Sequence, residues 1–115
     1  VETLALGEAV ASAPGPVLVD CLGTWLTRLF DAWQAWEADE STWLPQLDTE
    51  VSGLVSAIAG HAGDVVVVTN EVGWGLVSEY RSGRLFADHL GRTNQRVAQA
   101  CDRVVLMVAG RPLDT

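Results

Sequence analysis

Four valines in a row at positions 65–68 are the feature that most constrains this chain. β-Branched side chains lose rotamer freedom in a helix and pack well on a pleated surface, so this segment favours a strand. Unbroken apolar runs also occupy positions 17–19 and 104–108. Strands that are apolar without alternation are typical of a parallel sheet covered on both faces. We therefore predict three buried parallel strands, at 17–19, 65–69 and 104–108.

Helical patterns lie between these runs. A short amphipathic segment is ended by the Pro-Gly-Pro sequence at 14–16. Apolar residues at helical spacing predict a long helix from Leu22, another around 51–58, and a third from 85 to about 101. This order is typical of an α/β domain with right-handed crossovers. At 115 residues, 49% of them hydrophobic, the chain suits one domain, and we predict a single α/β domain over 1–115.

Charge and hydropathy exclude several classes of protein. The net charge is -8, and only seven Lys and Arg residues are present. These basic residues form no run, which argues against a nucleic-acid binder. No apolar stretch approaches the roughly 18 residues of a membrane span, and no basic region precedes a signal-type segment. We therefore expect no nucleic-acid partner, no membrane span and a cytoplasmic location.

Polar residues follow two of the predicted strands, at the edge where parallel sheets bind ligands. Asp20 follows the first strand and has the form of a Walker-B aspartate, which holds Mg²⁺ directly or through water. Capping of the helix that starts at Leu22 explains Asp20 equally well. Asn70 and Glu71 place an amide and a carboxylate on a glycine-containing loop, although Asn and Gly there also fit an ordinary turn.

Other polar side chains are weaker candidates. His61 and His89 have no Cys or His neighbour at ligand spacing, so a zinc site is not expected, and His89 is expected on a helix surface. Asp88 is placed to form helical ion pairs with Arg84 or Arg92. The chain contains no G-x-x-x-x-G-K-[ST] and no Lys, so it lacks the usual cradle for β- and γ-phosphates.

Segments 17–26, 68–77 and 84–96 together resemble the adenosylcobinamide kinase / adenosylcobinamide-phosphate guanylyltransferase family in order and spacing. The T-N-E-V-G-x-G-[IL]-V segment with G-R-x-N-Q downstream carries most of this specificity, and residues 100–113 resemble the family's C-terminal strand. The resemblance implies a RecA-like, P-loop-type parallel sheet with flanking helices, incomplete at the N-terminus. Residues 1–3 resemble the end of a Trp-x-x-Val-Glu segment. In a typical member of the family, roughly the first third of the chain comes before this segment.

The resemblance also implies a function in cobalamin biosynthesis. Such enzymes phosphorylate adenosylcobinamide and then transfer GMP from GTP through a guanylylated histidine, using Mg²⁺, GTP and ATP, and assemble as homotrimers. Glu2 resembles the family's nucleotide-contacting Glu, and Asp20 its strand-end acid near the phosphates. Asn70 and Glu71 are expected to form part of the site wall.

Three positions limit what the resemblance implies for this chain. Neither His61 nor His89 matches the nucleophilic histidine, and Ser78 stands where the family usually has Pro, which leaves the loop less rigid. Because the phosphate cradle and this histidine are both lacking, we expect the chain alone to catalyse neither reaction. The alternative is a non-catalytic fragment or divergent remnant that acts as an assembly or interaction module, with apolar surface left exposed.

Overall fold

The computed structural model describes residues 2–72 and 77–114. Val1, Thr115 and residues 73–76 of the predicted glycine-containing loop lie outside the described residues. The described elements, in chain order, are α1 (Leu6–Ser12), β1 (Val17–Asp20), α2 (Leu22–Trp33), a 3-10 turn (Glu40–Thr42), α3 (Leu44–Gly60), β2 (Val65–Val68), α4 (Arg81–Ala100), β3 (Val105–Val108) and β4 (Arg111–Asp114). The fold is therefore mixed α/β, with four α-helices among the described residues.

Two of the three predicted strands form a parallel pair. Strand β1 pairs with β2 in register, so that Val17 lies opposite Val65 and Asp20 lies opposite Val68. Since α2 and α3 lie between these strands in the chain, the strand-helix-helix-strand prediction is confirmed for this part of the molecule.

The predicted parallel pairing of the third strand is wrong. Strand β3 runs antiparallel to β4 in a separate two-stranded sheet, with Val108 opposite Arg111. The turn explains the difference, because Ala109 and Gly110 adopt φ angles of 50° and 76°. Two consecutive residues with positive φ make the tight hairpin turn that matches strand twist, so the chain returns immediately beside β3.

The prediction that these strands are buried on both faces is also wrong. Val19 is 5% exposed, whereas Leu18 and Val66 are 68% and 57% exposed on the other face of the parallel pair. In the hairpin, Met107 is 58% exposed. An unbroken apolar run sets the strand conformation, but it does not specify which of its two faces the helices cover.

The core contains a cluster of rings around Phe30, which is fully buried. Its ring centroid lies 4.8 Å from that of Trp43 and 6.0 Å from that of His89. His89 is 3% exposed, so the prediction of a surface histidine is wrong. It lies four residues after Leu85 and four before Thr93, both also buried, and all three therefore lie on the face of α4 that is packed inward.

Helices α1 and α3 cross closely at Gly7. A Cβ atom at Gly7 would stand 2.9 Å from the carbonyl carbon of Gly53 and 3.0 Å from the backbone nitrogen of Leu54. These are backbone atoms and cannot rotate away, so a side chain at Gly7 requires the two helices to separate. A Cβ at Gly53, by contrast, would meet open space.

We therefore expect Gly7→Ala and Gly53→Ala to have opposite effects on stability. Gly7→Ala should lower the free energy of unfolding by about 1–3 kcal/mol through overpacking. Gly53→Ala should raise it by about 0.5–1 kcal/mol, because alanine loses less conformational entropy in a helix. Urea unfolding followed by circular dichroism measures both, and equal effects would contradict the close crossing.

No helix within the described ranges is both long and apolar enough to cross a membrane.

Candidate functional site

The carboxyl edge of the parallel pair brings together the residues that follow the two strands. Asp20 is the last residue of β1 and lies opposite Val68, and Asn70 follows Val68 by two residues. The N-cap of α2 is Cys21, without a side-chain capping bond, so the capping alternative for Asp20 is wrong. The Asp20 side chain is exposed and alternates onto the same sheet face as Leu18.

A groove of about 470 Å³ lies beside this edge, between α2 and α4. One wall is polar and is built by Thr24, Thr27 and Arg28, which helical spacing places on one face of α2. The side chains that α4 contributes are apolar: Phe86 is partly exposed, whereas Leu90 is 1% exposed and lies beneath the surface. The groove therefore offers hydrogen-bonding groups opposite a surface on which a flat apolar group can lie.

Asn70 is the predicted site residue that lines this groove. Glu71, in contrast, is exposed, and its Oε1 accepts a hydrogen bond from the backbone N–H of Val72 at 3.0 Å. Glu2, Asp20 and Glu71 are not among the groove-lining residues of the described chain.

Glu2 reaches the rim of the groove through an ion pair. Its Oε2 lies 2.9 Å from an Arg28 guanidinium nitrogen. The two side chains are 78% and 44% exposed, so the pair contributes little to stability but keeps the Glu2 carboxylate beside a groove-lining cation.

Asn94 on α4 holds the segment that follows β2. Its Oδ1 accepts a hydrogen bond from Thr69 Oγ1 at 2.6 Å, and its Nδ2 donates to the backbone carbonyl of Asn70 at 2.9 Å. Neither Asn94 nor Arg28 was predicted as a site residue from the sequence. The signal available for Arg28 was the polar face of α2 at positions 24, 27, 28 and 31.

Arg84 on α4 binds backbone carbonyls rather than a neighbouring carboxylate. Within residues 2–72 and 77–114, no ion pair joins Asp88 to Arg84 or Arg92, so that prediction is wrong. Arg84 instead donates to the backbone carbonyls of Ser78 and Glu79, at 3.0 and 2.9 Å. These bonds tie the segment before α4 to its first turn.

The two histidines lie away from the carboxyl edge. His61 Nε2 is 2.7 Å from the carbonyl oxygen of Gly15, beside the start of β1. His89 lies among the core rings, with its Nε2 3.4 Å from Glu40 Oε1. Neither position gives a histidine access to the groove.

The acidic side chains suit a metal held with a phosphate rather than in a protein cage. Mg²⁺ is usually bound through one or two carboxylates, waters and substrate phosphates. No group of three or more His, Cys, Asp or Glu residues in the described part of the chain could hold a metal. An exposed strand-end carboxylate such as Asp20 fits a Mg²⁺ ion that is held together with waters and a substrate phosphate.

Comparison with known sequences decides the family. The sequence model of the family described as "Cobinamide kinase / cobinamide phosphate guanyltransferase" matches residues 1–115. The chain belongs to this family. The family resemblance of the T-N-E-V-G and G-R-x-N-Q segments is thereby confirmed.

Three relatives in the cobinamide kinase family show how much of the chain is shared. The chain is 40% identical over 99 residues to the bifunctional adenosylcobalamin biosynthesis protein CobU of Salmonella typhimurium, covering 82% of this chain and 54% of that protein. It is 39% identical over 100 residues to CobU of Escherichia coli, with the same coverage. It is 35% identical over 116 residues to CobP of Pseudomonas aeruginosa, covering 97% of this chain and 61% of that protein. The chain thus spans little more than half the length of the curated relatives it matches.

Proposed function

We propose that this chain forms part of the substrate site of a cobalamin-biosynthesis enzyme. The enzyme phosphorylates adenosylcobinamide and transfers GMP from GTP to adenosylcobinamide phosphate. The observation that carries this proposal is the placement of two predicted residues at the carboxyl edge of the parallel strands, in a member of the cobinamide kinase family. Asp20 ends β1 opposite Val68, and Asn70, two residues after Val68, lines the groove.

Each predicted residue has a role in this proposal. Asp20 holds Mg²⁺ or its waters, and the bound ion neutralises charge on the nucleotide phosphates. Glu2 contacts the guanine nucleotide from the rim of the groove, where Arg28 orients its carboxylate. Asn70 and Glu71 form part of the site wall, and of these two Asn70 lines the groove. ATP or GTP supplies the phosphoryl group.

We further propose that residues 1–115 form a single domain of the RecA-like, P-loop type. The parallel pairing of β1 and β2, with α2 and α3 between them in the chain, supports this fold. In this proposal the enzyme assembles as a homotrimer.

The exposed strand faces support a second candidate function, a non-catalytic assembly module. Leu18 and Val66 leave an apolar face on the parallel pair, and Met107 and Leu113 are 58% and 53% exposed on the hairpin. Apolar surface of this kind marks interaction sites. A module of this type binds a protein surface and has no need of nucleotide.

Nucleotide binding separates the two candidates. We expect the purified chain to bind GTP weakly in the presence of Mg²⁺, since it contains no Lys-bearing phosphate cradle. Its affinity should fall by about a further tenfold when EDTA removes the ion, because Asp20 otherwise repels the phosphates. Isothermal titration calorimetry measures both affinities, and sedimentation velocity measures self-association in parallel. A chain that self-associates without binding GTP would support the assembly module and contradict the proposed site.

A further inference from the structure

We propose that Asn94 is a positioning residue that presents the Asn70 carboxamide to the groove. We infer that this carboxamide recognises a ligand group with a hydrogen-bond donor beside an acceptor. The inference rests on the proposed function and deepens it, because it names the chemical group of the substrate that the groove binds. Two substrates of that function carry such a group: the purine base of the nucleotide and the carboxamide arms of the corrinoid.

The Asn94 side chain uses both ends of its amide on the segment after β2. Its oxygen accepts from the Thr69 hydroxyl at 2.6 Å, and its nitrogen donates to the Asn70 carbonyl at 2.9 Å. The Asn70 carbonyl fixes the orientation of the Asn94 amide, because turning the amide over would place its oxygen against the carbonyl oxygen, and two acceptors do not pair.

The Asn70 carboxamide makes no hydrogen bond to its own turn among the described residues. An asparagine after a strand commonly hydrogen-bonds to nearby backbone and so stabilises its own turn. Here Asn94 already satisfies the Asn70 carbonyl, and no hydrogen bond within residues 2–72 and 77–114 uses the Asn70 carboxamide. The amide lines the groove instead, with its Oδ1 3.5 Å from the point where a Cβ on Gly23 would stand.

The turn of α4 that carries Asn94 is anchored in the core. Leu90 and Thr93 are 1% and 2% exposed, and the Thr93 hydroxyl donates to the His89 carbonyl at 2.8 Å. Gly91 in this turn lies close to Val72, because a Cβ atom on Gly91 would be 3.7 Å from the Val72 side chain. The turn therefore also packs against the segment that follows β2. A binding group held from a rigid element is placed more precisely than one held by a loop alone.

The other groove walls agree with a flat, amide-like ligand. A carboxamide is both donor and acceptor, so it pairs with a donor-acceptor edge through two hydrogen bonds. Phe86, which is partly exposed, provides an apolar surface in the groove, and Arg28 adds a charged donor on the polar wall. A base edge or an amide arm fits these features, whereas an isolated phosphate would leave the apolar wall unused.

Calorimetric titration of the 115-residue chain tests this inference, with GTP plus Mg²⁺ and cobinamide as separate probes. We expect Asn70→Ala to weaken binding of one of the two probes. That probe carries the group to which the Asn70 carboxamide binds. Asn94→Ala and Thr69→Val should each weaken binding of the same probe by about 3–10-fold, the size expected for one lost neutral hydrogen bond. Thr69→Ser, which keeps the hydroxyl, should stay within about twofold of the unchanged chain.

The double variant Asn94→Ala with Asn70→Ala distinguishes positioning from general support of the fold. If Asn94 acts through Asn70, the double variant binds no more weakly than Asn70→Ala alone. Additive losses, or an Asn94→Ala affinity equal to that of the unchanged chain, would overturn the inference and leave the proposed function standing. If the unchanged chain binds neither probe, the proposed function fails and the inference fails with it. Urea midpoints confirm that each variant is folded, and Thr69→Val tests the same contact should Asn94→Ala unfold.

Discussion

Leu26→Ala should lower the free energy of unfolding by about 3–5 kcal/mol, whereas Leu18→Ala should change it by less than about 0.5 kcal/mol. Leu26 lies in α2 and is fully buried, so truncation leaves a cavity among the core side chains. Leu18 lies in β1 and is 68% exposed, so the same truncation removes atoms that already contact water. Domains of this size unfold with about 5–15 kcal/mol, and the first loss is therefore a large share of the total.

The pair is a matched test because both changes remove the same atoms. Urea unfolding followed by tryptophan fluorescence gives the two free energies. A large loss for Leu18→Ala would show that the exposed face of the parallel pair is covered, for example by self-association, and repetition at several protein concentrations would reveal that. A small loss for Leu26→Ala would contradict the core described above.

Asp20→Asn should remove most of the Mg²⁺ dependence of GTP binding. The amide keeps the size and polarity of the side chain but lacks the charge that a hard cation prefers. Loss of a metal-supporting group typically costs about 10–100-fold in affinity or activity, and we expect a loss of at least that size in the presence of Mg²⁺. Stability should change little, because Asp20 is exposed and makes no capping bond to α2.

Asp64→Asn is the matched control for this charge. Asp64 is also exposed, but it directly precedes Val65 and therefore lies at the opposite edge of the same strand pair. Removing its charge should leave Mg²⁺-dependent GTP binding within about twofold, since a screened surface charge acts over a short range. Equal effects of the two changes would assign the Mg²⁺ dependence to net charge alone. An unchanged Mg²⁺ dependence in Asp20→Asn, together with a large loss of stability, would assign Asp20 a structural role.

Local sequence patterns were enough to predict where most elements lie. The valines at 65–68 form β2, and the apolar spacing after Leu22 forms α2. The position of Asp20 at the end of β1 also followed from its place after an apolar run. These predictions succeeded because strand and helix preferences are set by each side chain and its near neighbours in the chain.

Contacts between distant parts of the chain were not predictable in the same way. The Asn94 bonds to Thr69 and Asn70 span 25 and 24 residues, and the Arg28 pair with Glu2 spans 26. No local pattern specifies such a partner, since an exposed Arg or Asn on a helix is compatible with many. The helix-surface prediction for His89 failed for a related reason, because its neighbours Leu85 and Thr93 mark a buried face only once α4 has packed.

The sequence by itself determined the order of strands and helices, the family, and the residues that follow β1 and β2. Only the tertiary structure decided that β3 turns back on β4, that one face of the parallel pair stays exposed, and that Asn70 lines a groove while Glu71 does not. The physical reason is the range of the interactions. Propensity and periodicity act over a few residues, whereas burial, pairing partner and side-chain contacts depend on which elements meet in space.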